Sequence, residues 1–177
     1  MDLTAEKIAA ATGSPLANVQ ANWPKILAAL QARGIGNLNT QIAAAATVAA
    51  EWRDFEPINE LGSNAYFERE YQGRHDLGNT HPGDGVRYHG RGYIQLTGRS
   101  NYQIYGHIIG KDLINHPELA LDPDNAAAIF AEYFVKHDIP MDAHQAKWRT
   151  IRRKVNGGLN NWPYFINVVN RLIRASK

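Results

Sequence analysis

The chain has no cysteine, which excludes disulfides, thiolate nucleophiles and metal sites built on sulfur. Its seven histidines show neither His-x-x-x-His nor His-Glu-x-x-His spacing, so a zinc peptidase is excluded on pattern and no metal is expected. Gly-x-Ser-x-Gly is absent, which removes the usual serine hydrolase. No stretch approaches the roughly 20 apolar residues of a membrane span. The longest largely apolar run, Ile42 to Ala50, is mostly alanine. The opening Met1-Asp2-Leu3-Thr4-Ala5-Glu6 lacks the basic start and apolar run of a secretory signal. Residues 143–177 contain no acid at all but eight lysines and arginines, in a chain whose net charge is only +2. That end is either a solvated basic face or a surface that gathers a polyanion. No nucleic-acid module accompanies it, so nucleic acid is not the expected partner.

What remains is 177 residues with an ordinary apolar fraction of 44%, expected to form one domain over 1–177 with residues 1–34 as a helical lead-in. Leu3 to Ala11 reads as a short helix closed by Gly13. Ser14-Pro15 is a restart signal, serine as cap and proline at the first helical position. The helix that follows, to about Arg33, should kink or split at Pro24. An alanine-rich helix runs from Asn39 or Thr40 to Glu51. Residues 54–92 hold nine glycines and prolines among scattered aromatics and read as loops with a small hairpin. Further helices are expected over Gly98 to Ile109, about Asn125 to Lys136, Ala143 to Val155 and Trp162 to Ala175. The fold class is mainly α (α+β), with a small β-rich lobe around residues 60–95.

The densest signal is Tyr88 to Tyr102, fifteen residues with three glycines, three tyrosines and two arginines. Glycines let backbone pass close to a neighbour, and tyrosines offer flat faces to a sugar ring. Gln95, Thr97 and Asn101 can aim hydrogen bonds at hydroxyls and amides. Gly90-Arg91-Gly92 lacks the third glycine of a dinucleotide loop. The stretch resembles glycoside hydrolase family 19, the chitinases and phage endolysins, whose motif reads aromatic-x-Gly-Arg-Gly-x-Ile-Gln-Leu-Ser/Thr and then Asn-Tyr. The resemblance implies a lysozyme-like helical fold. It places Thr97 at the Ser/Thr position that helps hold the attacking water, and Gln95 and Asn101 at substrate contacts. Val155-Asn156-Gly157-Gly158 resembles the family's Ile-Asn-Gly-Gly, which implies Asn156 in the cleft. Arg171 resembles the last-helix arginine that faces it. Asn79 to Gly85 resembles the endolysin form Gly-Asn-x-x-Pro-Gly-Asp-Gly and is expected to be scaffold of tight turns.

Glycoside hydrolysis needs two carboxyl groups, and the candidates are Glu51, Asp54, Glu56, Glu60, Glu68 and Glu70. A general acid working near neutral pH wants surroundings that disfavour its charge; the C-terminus of a packed helix offers them through its dipole and burial. Glu51 stands at such an end. In endolysins similar to this chain, a helix ends in His-Glu, a phenylalanine follows, and a second glutamate lies nine positions after the first. Phe55 and Glu60 fit that pattern, which implies Glu51 as general acid and Glu60 as general base, with Glu68 and Glu70 in reserve. Ala50 departs from the histidine, and Trp52-Arg53-Asp54 replaces small residues. The implied activity is inverting cleavage of the β-1,4 bonds of peptidoglycan, without a cofactor, by a monomer held in the host cytoplasm until it reaches the wall. A chitinase on neutral chitin and a non-catalytic glycan-binding relative are the alternatives.

Overall fold

In the computed structural model, which describes residues 2–177, helices account for nearly all regular structure. Two compact units emerge, one made of the chain up to Glu56 together with Phe130–Lys177, the other of Pro57–Ile129.

The first unit begins with α1 (Ala5–Thr12), whose Thr4 hydroxyl accepts from Lys7 N–H and whose end is turned by Gly13 at φ 76°. Helix α2 (Leu16–Ala32) continues through Pro24. Proline removes one backbone donor, but Trp23 and Ile26 on either side are almost fully buried, and this packing holds the helix together. Pro15, not Ser14, occupies the cap position, without a side-chain cap bond. Helix α3 (Leu38–Glu51) is capped by Asn37, whose side chain accepts from Thr40 N–H. Every residue from Thr40 to Ala50 in it is buried. Small side chains on all sides let neighbouring helices approach closely. α3 packs against α10 (Trp162–Ala175) and α8 (Ile139–His144). Helix α9 (Trp148–Asn156) is separated from α8 by a break. One helix was expected over this stretch. Ala146 adopts φ 53°, and Lys147 N–H donates to Asp142 O at 2.8 Å, so the chain closes α8 and restarts.

The second unit holds strand β1 (Ile58–Asn59), helices α4 (Asn64–Tyr71) and α5 (Asp84–Arg87), strand β2 (Arg91–Gly92) and helix α6 (Arg99–Ile109). β1 pairs antiparallel with β2, Ile58 opposite Gly92 and Asn59 opposite Arg91. The β component is therefore two residues per strand, and short helices fill the stretch between them. Ser63 caps α4 by accepting from Tyr66 N–H, a polar start signal followed by Phe67 as the buried anchor. Asn79 to Gly85 is scaffold. Buried Asp84 accepts from Arg99 Nη1 at 2.9 Å and from His81 N–H at 2.9 Å. Buried Asn79 accepts from Arg99 N–H and donates to Tyr71 O. Helix α7 (Pro123–Lys136) opens with Asp122 accepting from Asp124 and Asn125 N–H.

Candidate active site

Glu51 is the last residue of α3, and its carboxylate is mostly buried. Arg152 Nη1 donates to Glu51 Oε1 at 2.5 Å, and Arg152 Nε donates to Asn160 O at 2.7 Å. Arg152 is 1% exposed. Among the eight lysines and arginines of residues 143–177 it is turned inside, as the partner of the candidate acid. A charge-assisted bond in a dry site fixes both side chains. Asn161, at φ 60°, donates from Nδ2 to Ala50 O at 3.1 Å. The end of α3 is thus tied twice to the segment joining α9 and α10. Ala50, Glu51, Trp52, Arg53, Asp54 and Asn161 line a pocket of about 270 Å³. Phe55, which closes the turn after Glu51, is fully buried at φ 61°, a left-handed conformation that costs a bulky residue free energy.

Asn156 lies one helical turn beyond Arg152 on α9 and so shares its face. Its Oδ1 is buried with no hydrogen-bond partner among the described residues. An acceptor left in that state is costly, and a donor on a ligand would relieve it. Arg171 sits elsewhere in the unit. It is exposed, its Nη1 donates to Ala11 O at 3.4 Å, and it lines a separate groove with Lys7, Ala10 and Ala175. The arginine brought to Glu51 is Arg152, not Arg171.

In the second unit, Glu60 is held at both oxygens. Tyr71 OH donates to Oε1 at 2.7 Å and Gly90 N–H donates to Oε2 at 2.8 Å. Burial and the Glu60 hydrogen bond push the Tyr71 phenol well above its ordinary range, so it remains a donor. A Cβ at Gly90 would lie 2.9 Å from Glu60 Oε2 and 2.8 Å from Gln95 Oε1, so both side-chain ends would have to shift from these positions. Gln95 adopts φ 53° and donates from Nε2 to Ile58 O and Gly92 O, both at 3.1 Å. Thr97 Oγ1 donates to Gln95 O at 2.9 Å, and Asn101 Nδ2 donates to Thr97 O at 2.8 Å. Gln95, Thr97 and Asn101 are thus linked in series, and Gln95 is tied to β1 and β2, the strands that flank Glu60 and Gly90. The stretch Tyr93 to Leu96 is a turn closed by an Arg91–Leu96 bridge, not an extension of β2. Arg91 is buried in it, donating from Nη1 to Arg87 O and to Tyr102 OH, a structural task.

Sequence reasoning missed three contributors, Arg152, Tyr71 and Asn161. Arg152 lies 101 positions from Glu51, and no local pattern marks such a pair. Tyr71 comes eleven positions after Glu60 and carries no motif of its own.

Known proteins resemble this chain in part of its sequence and in fold. The family model described as chitinase class I, of glycoside hydrolase family 19, matches residues 64–142. That span includes Gln95, Thr97 and Asn101 and excludes both Glu51 and Glu60. A glycosyl hydrolase family 19 domain-containing protein of Haemophilus influenzae is 33% identical over 108 residues, 61% of this chain and 50% of that protein. An acidic 27 kDa endochitinase of Solanum lycopersicum is 57% identical over 35 residues, 20% of this chain and 14% of the enzyme. The chain thus matches half or less of the length of these relatives. Chitinase C of Streptomyces griseus superposes with a TM-score of 0.72 at 18% identity, covering 97% of this chain and 75% of that one. A second bacterial family 19 chitinase superposes with a TM-score of 0.72 at 17% identity, covering 96% and 94%. The motif and the family model point to glycoside hydrolase family 19 over residues 64–142, and the fold of the chain is similar to that of bacterial family 19 chitinases.

Proposed function

We propose that the chain hydrolyses the β-1,4 glycosidic bonds of bacterial peptidoglycan by single displacement, in the manner of a phage endolysin acting as a monomer in host lysis. The observation that carries a hydrolytic role is Glu51, lining a pocket and aligned by a buried arginine. Glu51 protonates the glycosidic oxygen. The negative charge that develops on it as the proton leaves faces Arg152, so the contact strengthens along the reaction, where stabilisation accelerates it. Glu60, oriented by Tyr71 and Gly90, takes the proton of the attacking water, and Thr97 helps to hold that water. Inversion asks for roughly 6.5–9.5 Å between two such carboxyl groups. The reaction needs no cofactor. Asn156 and Gln95 are the substrate contacts, Asn156 through its unpartnered oxygen.

Two features favour the wall over chitin: the endolysin-like stretch Asn79 to Gly85, and the exposed cations Lys147, Arg149, Arg153, Arg174 and Lys177. Chitinase names among the relatives favour the second reading, a chitinase. Release of reducing ends from purified peptidoglycan and from chitin separates the two. Release from peptidoglycan by the natural chain is expected, and Glu51→Gln should lower it at least a hundredfold while the protein stays folded. The amide oxygen can still accept from Arg152, though without a countercharge, and has no acidic proton to give. Release from chitin alone would overturn the peptidoglycan reading. An active Glu51→Gln would remove Glu51 from the mechanism.

A further inference from the structure

We propose that Arg53 is a specificity contact for a carboxylate borne by the glycan strand beside the scissile bond. The inference rests on the peptidoglycan reading above and names the chemistry that would distinguish that substrate from chitin.

Arg53 lines the same pocket as Glu51. Its guanidinium lies 4.3 Å from the centroid of the Tyr164 ring. The ring is fixed in turn, because Tyr164 OH donates to Thr12 O at 2.7 Å. A guanidinium stacked on an aromatic face keeps its edge N–H groups free in a planar fork that matches a carboxylate. Three other cations of this unit are matched with acids, Arg152 with Glu51, Arg33 with Glu132 and Lys154 with Asp142, and none of the exposed cations of the basic end lines this pocket. Arg53 is exposed, and no carboxylate among the described residues forms an ion pair with it. A pre-positioned cation without an acid partner next to the proton donor gains most from an anionic substituent, to which its hydrogen bonds are charge-assisted. Asp54, on the same pocket, repels a second anion and confines the substituent to the Arg53 side. The sequence brings this cation in where it departs from the small residues of similar endolysins, at Trp52-Arg53-Asp54. Peptidoglycan offers the matching group in two places, the lactyl carboxylate of a muramic residue freed of peptide and the carboxylates of an attached stem peptide.

The test uses soluble, uncrosslinked glycan strands in three forms: freed of peptide with lactyl carboxylates intact, the same strands with those carboxylates converted to neutral amides, and strands still bearing stems. The natural chain should show kcat/KM about tenfold higher on carboxylate-bearing strands than on amidated ones, the size expected of a charge-assisted pair. Arg53→Ala should bring the ratio close to one, Arg53→Glu should invert it, and Arg53→Lys should keep part of it. Preference on the peptide-free strands assigns the lactyl group; preference confined to stem-bearing strands assigns the peptide; either supports the proposal. Equal rates of the natural chain on charged and amidated strands would overturn it while leaving peptidoglycan as the substrate. So would an Arg53→Ala variant that keeps the full preference, or that loses activity equally on both forms. A natural chain that cleaves none of the three strands yet cleaves chitin oligosaccharides would remove the peptidoglycan reading itself.

Discussion

At the scale of single residues, the ion pair between Arg152 and Glu51 carries more than either side chain alone. Both are largely withdrawn from water, so removing one leaves a buried charge without its partner, a loss of roughly 3–5 kcal/mol. Arg152→Ala should therefore lower the thermal midpoint by about 10 °C or more for a chain of this size. Arg152→Lys keeps a charge but not the fork that reaches Glu51 and Asn160 together. It should fold, with kcat reduced and KM little changed. Equal effects of Lys and Ala on stability, with kcat intact in the folded fraction, would make Arg152 a structural residue only. Glu51 was legible because helix end, following phenylalanine and second glutamate lie within ten positions. Its partner was not, because Arg152 sits in a run of three cations that reads as a solvated face until the packing of α9 turns one of them inward.

At the scale of elements, the second unit shows a different kind of tie. His89 stacks on Phe67 with ring centroids 4.2 Å apart, its Nδ1 lies 2.6 Å from Val86 O, and its Nε2 lies 2.9 Å from Asn59 Oδ1. It thus joins α4, α5 and β1. Burial is the main cause that pushes its imidazole below the usual range, and burial does the same for His137 in the first unit. An unfolded histidine titrates near 6.5. Below that pH the unfolded chain binds protons the folded chain refuses, so stability is full above about 6.5 and falls as pH drops toward the lowered folded values. The thermal midpoint should decline between about pH 7 and pH 5. His89→Gln should make that decline shallower, whatever it does to the midpoint at pH 7. An unchanged slope would show that His89 is not one of the groups responsible. Element ends were legible where punctuation is strong. The last helix runs from Trp162 to Ala175 as its sequence suggests, and Gly13 closes the first. They were not legible where packing overrides a local signal, as at Pro24 within α2, or where an ordinary alanine takes a left-handed turn, as at Ala146. The stretch around 60–95 suggested more strand than it contains, because glycines and aromatics mark close packing as readily as pairing.

For the whole molecule, the basic end remains a candidate for gathering the chain onto an anionic wall, with a corrected membership. Arg152 is committed to Glu51 and Lys154 to Asp142 at 2.6 Å, so neither is free to attract a distant polymer. Arg149, Arg153 and Arg174 are exposed. If they act at long range, activity on intact walls should fall with salt, since screening shortens electrostatic reach to about 8 Å near 0.15 M. Replacing these three by glutamine should flatten that dependence and leave a short neutral oligosaccharide nearly unaffected. Equal salt sensitivity on both substrates would identify the basic end as a solvated face. The proposed reaction turns on one step, direct attack of water on a peptidoglycan glycosidic bond while Glu51 donates its proton. Proton NMR of the first product formed from soluble peptidoglycan strands reads that step at the new reducing end. Direct displacement predicts the α-anomer first, equilibrating later with the β form. An initial β-anomer would contradict it, because retention requires a covalent intermediate and a different task for Glu60.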